Sequence, residues 1–292
     1  MHELENIKGV KKNISLTPLT TFKVGGPAEY YYEPNDIGQF SNIIKSAISS
    51  EIPITILSGG SNVLINDNGI KGLVVHPKND QHSIENTSIY AGAGMSISRL
   101  LAICTKNSLS GLEFMGGIPG TVGGGVYGNA GSPKISLGNF IDYIEVINRL
   151  GEEQKWSQSD CNFSYRNSRM KKEKTIVMAA KFKLKITDSK IIRTNINIFI
   201  DKKNENQPAS SASSGCIFKN PANNIAAKLI DQAGLKGKRI GGAEVSKIHA
   251  NFIINTGSAT AEDITILISY IKQQIRDKFN VQLNEEIQYL GF

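Results

Sequence analysis

The stretch GGIPGTVGGGVYGNAG, residues 116–131, constrains the fold more than any other, because eight of the chain's 28 glycines lie within these 16 residues. No ordinary helix or strand tolerates that density of glycine. We therefore expect a loop whose backbone approaches a ligand closely. A purely structural loop or hinge is the less favoured alternative, because so few side chains here can pack.

A second glycine-rich segment, SGGSN at 58–62, follows a predicted buried strand at 52–57. The backbone N–H groups of such a turn can bind a phosphate, although a plain tight turn is equally compatible with the sequence. No Gly-Lys-Ser/Thr follows, which excludes a Walker loop. The segment GAGMSI at 92–97 lacks the third glycine of the Rossmann fingerprint, since Ile97 stands there. Two glycine-rich loops beside strands predict one extended diphosphate ligand, held by another architecture.

Hydrophobic periodicity predicts alternating strands and helices through the first 200 residues and a separate pattern in the last third. The predicted strands are 29–34, 52–57, 70–75, 88–94, 140–150, 174–185, 250–255 and 285–291. The predicted helices are one that begins after Asn35 or Asp36, then 95–108, 188–207, 223–234 and 260–279. Thr260 and Asp263 resemble a capping box. Small and polar residues cluster at 207–215, where we expect a domain boundary.

Composition is that of a soluble globular protein, with 292 residues of which 40% are hydrophobic and 20% charged. The net charge of +7 favours anionic small molecules, because the densest basic run, 166–174, lacks the aromatic residues of a nucleic-acid site. No apolar run approaches the ~18 residues of a membrane span. The first 13 residues lack the apolar core of a secretory signal, which predicts a cytoplasmic protein without membrane insertion.

The three cysteines, Cys104, Cys161 and Cys216, are far apart and odd in number, which argues against a disulfide framework. The four histidines form no metal-ligand spacing with them, so no metal site is expected. Cys104 and Cys161 are expected to pack in the core. Cys216, in the predicted loop SSGCIFKNP at 213–221, is either a filler or a thiol that donates a proton or attacks as a nucleophile. A nucleophile would need a partner such as His249.

Arg166 and Glu286 are two further candidates for chemistry. Arg166, within CNFSYRNS at 161–168, can bind a carboxylate or stabilise a developing enolate, although a surface ion pair is the commoner role of a single arginine. Glu286 stands at the start of the last predicted strand, and such a carboxylate alone is more often a solvated surface group.

Seven segments, in order, resemble those of UDP-N-acetylenolpyruvoylglucosamine reductases, and the resemblance covers roughly residues 16–291. They are TTFKVGGPA (20–28), LSGGSNVLI (57–65), GLEFMGGIPGTVGGGVYGNAG (111–131), FSYRNS (163–168), SSGCIFKNP (213–221), LIDQAGLKGKRIGGAEVSKIHANFIIN (229–255) and LNEEIQYLG (283–291). The resemblance implies an α+β fold with a two-part FAD-binding module of the PCMH/vanillyl-alcohol-oxidase type and a smaller C-terminal α+β substrate-binding domain. The implied boundaries are 1–76, 77–195 and 196–292.

The same resemblance implies a monomeric enzyme that binds FAD non-covalently and uses NADPH. It would reduce UDP-N-acetylglucosamine enolpyruvate to UDP-N-acetylmuramate in peptidoglycan precursor synthesis. A hydride would pass from NADPH to FAD and then to the enolpyruvyl methylene carbon. The short span between Arg166 and Cys216 implies the shorter form of the family, which lacks a tyrosine-bearing substrate loop.

The resemblance also implies roles for individual residues. The FAD pyrophosphate would be held by Gly59, Gly60, Ser61, Asn62, Gly116, Gly117, Ile118, Pro119, Gly120, Gly123 and Gly124. Arg166 and Glu286 would act on the substrate carboxylate, and Cys216 stands where many relatives have a serine that delivers a proton. Tyr165, Asn220 and Lys236 would contact substrate. Two departures are Ser164, where glycine is usual, and Ile248, where lysine is common.

Two other functional classes compete with this reading. An alcohol or sugar oxidase of the same flavin-binding architecture often carries a histidine near the first glycine loop for covalent attachment, and residues 58–62 contain none. A non-catalytic nucleotide-binding protein would be expected to lose Arg166, Glu286 or an acid at position 216, and all three positions retain usable chemistry.

Overall fold

A computed structural model describes residue 4 and residues 7–132, 134–208 and 211–292. The strands are β1 (Lys11–Ser15), β2 (Pro27–Tyr32), β3 (Ile54–Ile56), β4 (Val63–Ile65), β5 (Ile70–Val75), β6 (His82–Glu85), β7 (Ser88–Gly92), β8 (Leu109–Ser110), β9 (Ile141–Ile147), β10 (Glu153–Ser157), β11 (Ile176–Lys183), β12 (Lys185–Ile186), β13 (Arg239–Ile240), β14 (Ala243–Val245), β15 (Ile253–Asn255) and β16 (Gln288–Leu290). This mixture of strands and helices agrees with the predicted α+β class.

The helices are α1 (Ile37–Ser49), α2 (Ile97–Lys106), α3 (Val122–Tyr127), α4 (Arg169–Glu173), α5 (Ser189–Asn206), α6 (Ala226–Gln232) and α7 (Ala261–Phe279). The chain forms two compact units. The first contains the described residues of Met1–Lys11 together with Tyr30–Gly59 and Gly72–Lys202. The second contains Lys12–Glu29, Gly60–Lys71 and Lys203–Phe292. The three-part division at residues 76 and 195 stays a prediction.

An antiparallel sheet of order β10-β9-β11-β7-β6 forms the larger part of the first unit. Its buried side chains, such as Ile144 and Phe182, share one core with Ile97, Leu100 and Cys104 of α2. Apolar residues alternate along the strands and recur about every 3.6 residues along the helix. The faces that carry these residues are the buried ones, as the sequence predicts. Cys104 and Cys161 are both core residues, as expected.

A smaller layer of the first unit is built around β3 and β5, which pair in parallel at Ile54–Leu73 and Ile56–Val75. Helix α1 begins at Asp36, whose carboxylate accepts a hydrogen bond from the amide of Gln39 at 2.7 Å. The apolar face of α1 packs in the same core as Leu73 and Val75.

The second unit is organised around α7, whose buried stripe is Ile264, Leu267, Ile268, Ile271 and Ile275 as predicted. The predicted capping box at Thr260 and Asp263 is present. A three-stranded sheet of order β13-β14-β15 packs in the same core, and β16 pairs in parallel with β4. Helix α6 is followed by Gly234, whose φ of 76° fits a helix-terminating glycine.

The glycine-rich stretch departs from expectation, because it contains the six-residue helix α3. The expectation that no helix forms there was wrong. A Cβ on Gly123 would lie 2.7 Å from Cβ of Ala93, and one on Gly125 would lie 2.8 Å from Cδ1 of Leu137. Glycine is therefore needed so that the helix backbone can pack directly against its neighbours, which outweighs the poor helix propensity.

Two further observations bear on expectations from the sequence. Of the predicted boundary segment 207–215, Ala209 and Ser210 lie outside the described residues. Within the described part of the chain, no helix is both long enough and apolar enough to cross a membrane. No cluster of three or more His, Cys, Asp or Glu side chains placed to hold a metal ion occurs among those residues either.

Candidate active site

Within the first unit, the Ser58–Gly59 end of the first glycine-rich loop packs backbone against backbone with the second glycine-rich loop. A Cβ on Gly59 would lie 2.5 Å from Cα of Gly120, and one on Gly124 would lie 2.8 Å from Oγ of Ser58. The hydroxyls of Ser58 and Thr121 are hydrogen-bonded to each other. Side chains at these glycines would push the loops apart, so glycine is required for their close approach.

The other half of the first loop, Gly60–Asn62, belongs to the second unit. Gly60 has a φ of 60°, and a Cβ there would lie 2.0 Å from the carbonyl oxygen of Leu19. Nδ2 of Asn62 donates a hydrogen bond to the carbonyl of Glu286 at 3.2 Å, and the Asn62 carbonyl accepts one from the Gln288 amide at 3.0 Å. The predicted pyrophosphate residue Asn62 and the predicted catalytic residue Glu286 are therefore direct neighbours.

A cavity of about 880 Å³ opens beside the second glycine loop in the first unit. Gly116–Gly120 form one wall, and the other walls come from α2 and from Ile196 and Ile200 of α5. Arg193 and Lys106 place positive charge at the cavity. Apolar walls suit a flat heteroaromatic ring, while loop amides and cations suit phosphate oxygens. These residues therefore fit a dinucleotide such as FAD.

Arg166 occupies a strained position in a tight turn. The amides and carbonyls of Ser164 and Asn167 form two reciprocal hydrogen bonds of 3.0 and 3.1 Å, which leaves Tyr165 and Arg166 at the tip. Arg166 has a φ of 54° at the third turn position, where glycine or asparagine is usual. A left-handed backbone costs a non-glycine residue roughly 1–2 kcal/mol. Such strain clusters at functional sites and persists only where the surroundings enforce it.

Cys216 lies in the second unit, in a segment that pairs with β15 and the residues before it. It forms an isolated antiparallel bridge with Phe252, so the predicted loop is partly extended. The carbonyl of the next residue, Ile217, accepts a hydrogen bond from the Glu286 amide at 2.7 Å. This hydrogen bond places Glu286 beside Ile217, the residue that follows Cys216. Cys216 and Glu286 are both half-buried.

Two residues near Cys216 in the sequence or in space also carry polar atoms. Ser214 is buried, and its Oγ has no hydrogen-bond partner among the described residues. The His249 ring packs edge-on against Phe252, and its Nδ1 accepts a hydrogen bond from the Asn251 amide at 3.3 Å. Burial lowers the pKa of His249 and Lys236 lowers it further, which favours a neutral ring.

Comparison with known proteins identifies the family. Residues 207–290 match the family model described as UDP-N-acetylenolpyruvoylglucosamine reductase, C-terminal domain, and residues 28–157 match an FAD binding domain. A UDP-N-acetylenolpyruvoylglucosamine reductase of Prochlorococcus marinus is 39% identical over 287 residues, which cover 97% of this chain and 98% of the relative. The chain belongs to the UDP-N-acetylenolpyruvoylglucosamine reductase family.

Two further relatives agree with this membership. The reductase of Clostridium novyi is 39% identical over 283 residues, covering 97% of this chain and 92% of the relative. The crystal structure of the reductase from Thermus caldophilus superposes with a TM-score of 0.82 at 30% identity, covering 96% of this chain and 98% of that one. The predicted family and fold class are confirmed, and the chain is an FAD-containing oxidoreductase.

The other predicted substrate residues of this reductase have local partners. Oδ1 of Asn220 accepts a hydrogen bond from the Ala226 amide at the start of α6, 3.0 Å away. Nζ of Lys236 forms an ion pair with Asp231 at 2.9 Å. Tyr165 is exposed at the tip of the Arg166 turn. The roles of these three side chains toward substrate stay predictions.

Sequence reasoning missed several residues that the structure places at the site. Asn129, at the end of the glycine-rich stretch, donates through Nδ2 to the Ser164 carbonyl at 2.8 Å. Ser168 donates through Oγ to the Tyr127 carbonyl at 2.6 Å. Asparagine between glycines is a recognisable turn signal, but its distant partner at residue 164 leaves no mark on the sequence. Arg193 and Lys106 were missed because only the fold brings their helices to one cavity.

Proposed function

We propose that this chain reduces UDP-N-acetylglucosamine enolpyruvate to UDP-N-acetylmuramate with NADPH, in the cytoplasmic stage of peptidoglycan precursor synthesis, and acts as a monomer. The observation that carries the proposal is the 39% identity over nearly the full length of both chains with a reductase of that name. The packing of the two glycine loops and the neighbouring positions of Cys216 and Glu286 support it.

The residues that would hold FAD are Gly59–Asn62 and the second loop from Gly116 to Gly124, together with the cavity lined by α2 and α5. When bound, FAD would supply the hydride chemistry that links NADPH to the methylene carbon of the enol ether. The loop amides bind the diphosphate oxygens, and Arg193 and Lys106 balance their charge. Ser58 and Thr121 hold the two loops together through their hydroxyls.

Cys216 donates the proton that completes the reduction. After the methylene carbon gains a hydride, the carbon next to the carboxylate carries the excess electron density and takes a proton from Sγ. A thiol is more acidic than the serine hydroxyl common at this position in relatives, so it can serve as the donor. A positioned acid of this kind contributes ~10²–10⁴ in rate.

Arg166 and Glu286 act on the substrate carboxylate, where charge builds before the proton arrives. A guanidinium can form two parallel hydrogen bonds with a carboxylate, which both orients it and stabilises the enolate. Glu286 acts on the same group. Tyr165, Asn220 and Lys236 contact the rest of the substrate in this proposal.

The test is stopped-flow absorbance of the purified yellow protein, followed in two half-reactions. NADPH should bleach the flavin band, and UDP-N-acetylglucosamine enolpyruvate should then restore it under anaerobic conditions. UDP-N-acetylglucosamine without the enolpyruvyl group serves as the control and should not restore the band. Reduced enzyme that is reoxidised by oxygen but never by the enol ether would contradict the proposed reaction and favour an oxidase.

A further inference from the structure

The turn that carries Arg166 is held from two sides by hydrogen bonds from two buried side chains of the first unit. Nδ2 of Asn129 donates to the Ser164 carbonyl at 2.8 Å, at the residue where the turn begins. Oγ of Ser168 donates to the Tyr127 carbonyl at 2.6 Å, just after the turn ends. The donor side chains are well shielded from solvent, since Asn129 is 4% exposed and Ser168 is 0% exposed.

The same asparagine also joins the turn to the packing beneath it. Oδ1 of Asn129 accepts a hydrogen bond from the Gly138 amide at 3.0 Å. Gly138 lies directly under the Phe163 ring, since a Cβ there would be 2.6 Å from the Cγ of Phe163. Asn129 therefore links the backbone of Ser164 to that of Gly138, which packs against the ring of Phe163, and its amide group is used at both ends.

The left-handed backbone of Arg166 explains why the hydrogen bonds of Asn129 and Ser168 are needed. A left-handed φ at an arginine relaxes unless the neighbouring backbone prevents it, and the hydrogen bonds at Ser164 and Ser168 lie on the two sides of that residue. We propose that Asn129 and Ser168 are positioning residues that hold Arg166 in the conformation required for binding the substrate carboxylate. This inference rests on the proposed role of Arg166 in the reduction.

The experiment compares four variants of the FAD-loaded enzyme: R166A, N129A, S168A and N79A. Asn79 is the matched control, because it is fully buried and likewise joins two backbone groups, donating to the Met178 carbonyl and accepting from the Gly94 amide, both at 3.0 Å. Flavin content, melting temperature and the rates of the two half-reactions are measured for each, together with the dissociation constant of the enol ether from flavin absorbance.

R166A is expected to slow flavin reoxidation by the enol ether at least ~100-fold, and N129A and S168A about tenfold, because small misplacements of a catalytic group are costly. Their bleaching by NADPH should stay within about twofold of wild type. N79A should lower the melting temperature as N129A does but leave reoxidation within about twofold. A crystal structure of N129A should show Arg166 with a negative φ.

Three outcomes would overturn the inference. If R166A is slow but N129A and S168A reoxidise at the wild-type rate, the turn needs no such clamp, while the proposed function stands. If N129A and N79A show equal losses of flavin content and of the rates of both half-reactions, the hydrogen bonds of Asn129 contribute only to stability. If R166A itself reoxidises normally, Arg166 does not act on substrate, and the clamp and the proposed role of Arg166 fall together.

Discussion

The amide of Glu286 donates a hydrogen bond to the carbonyl of Ile217, 2.7 Å away, and so joins the last strand region to the segment that carries Cys216. The carbonyl of Glu286 in turn accepts a hydrogen bond from Asn62 at 3.2 Å. Residues separated by more than 200 positions in the chain thus share one backbone network. The backbones of Cys216, the proposed proton donor, and of Glu286 are held by contacts to their main-chain atoms. Replacing either side chain leaves these contacts intact.

Substitution of Cys216 should therefore change the rate of flavin reoxidation and leave the fold unchanged. Cys216→Ala is expected to slow flavin reoxidation by the enol ether by ~10²-fold or more, because the proton donor is lost. Cys216→Ser should stay within about tenfold of wild type, since a hydroxyl can take the same position. Stopped-flow reoxidation at matched flavin content measures both, and equal rates in wild type and Cys216→Ala would make the thiol a spectator.

Alkylation offers an independent check on the same thiol. Burial raises the pKa of Cys104 to about 12, and burial together with the charge of Asp160 raises that of Cys161 to about 12. Neither forms a thiolate near neutral pH, so iodoacetamide should modify Cys216 first among the three cysteines. Modification mapped by mass spectrometry should parallel the loss of reoxidation, and Cys216→Ser should resist it. Inactivation of Cys216→Ser at the wild-type rate would point to another target.

Gly59→Ala should weaken FAD binding, because the new Cβ would meet Cα of Gly120 at 2.5 Å and force the two loops apart. Overpacking of this kind costs ~1–3 kcal/mol, which corresponds to about a tenfold to hundredfold higher dissociation constant. Gly128→Ala is the matched control, since its Cβ would lie 3.5 Å from the Gly124 carbonyl in ordinary contact. Fluorescence of released FAD measures both variants. A Gly59→Ala protein that retains FAD as tightly as Gly128→Ala would show that the loops do not need this spacing.

The helix cap at Thr260 should contribute measurably to the stability of the second unit. Its Oγ1 accepts from the Asp263 amide at 3.0 Å, and the Asp263 carboxylate accepts from the Thr260 amide at 3.1 Å. Thr260→Ala should lower the free energy of unfolding by about 1 kcal/mol in urea titration. Thr265→Ala, which makes the same change inside α7, should change it by no more than about 0.5 kcal/mol. Equal effects of the two substitutions would remove the capping argument.

The parts of the fold that follow local rules were predictable. The Thr260 cap and the apolar stripe of α7 depend on residues three to eight positions apart, so periodicity and capping rules find them. Helix α3 was missed because its glycines reflect packing against Ala93 and Leu137, which lie outside the helix and at least 12 positions from these glycines in the sequence. Glycine density alone does not distinguish a ligand-binding loop from a helix that needs a close neighbour.

Candidate site residues could be proposed from the sequence only where a residue type carries chemistry by itself. Cys216, Arg166 and Glu286 are recognisable as acid, cation and carboxylate wherever they lie. The left-handed φ of Arg166 and the hydrogen bond from Asn129 to Ser164 are long-range outcomes of packing, and no local pattern encodes them. Sequence reasoning can therefore propose reacting groups more readily than it can identify the residues that would hold them in place.

His76 has a defined protonation state in the first unit, at the base of the first glycine loop. Its Nδ1 lies 2.6 Å from the Leu57 carbonyl, and its Nε2 lies 2.9 Å from Nζ of Lys78. A lysine ammonium can only donate, so Nε2 accepts, Nδ1 carries the proton, and the ring is neutral. Tyr31 stacks on the ring, and Glu33 lies 3.5 Å from Nζ of Lys78.

Acid should consequently destabilise the protein through His76. Burial lowers its pKa, and the charge of Lys78 lowers it further, against the opposing effects of Glu33 and the Leu57 and Ser58 backbone. The unfolded chain binds a proton near pH ~6.5 whereas folded His76 resists it, so the free energy of unfolding falls as pH drops below ~6.5 and is fully present above it. His76→Asn, which keeps a donor for Leu57, should flatten this slope in urea titrations between about pH 5 and 7.5. His82→Asn, which makes the same change at an exposed position on β6, is the matched control. An unchanged slope in His76→Asn would mean that the folded protein accommodates a charged ring there.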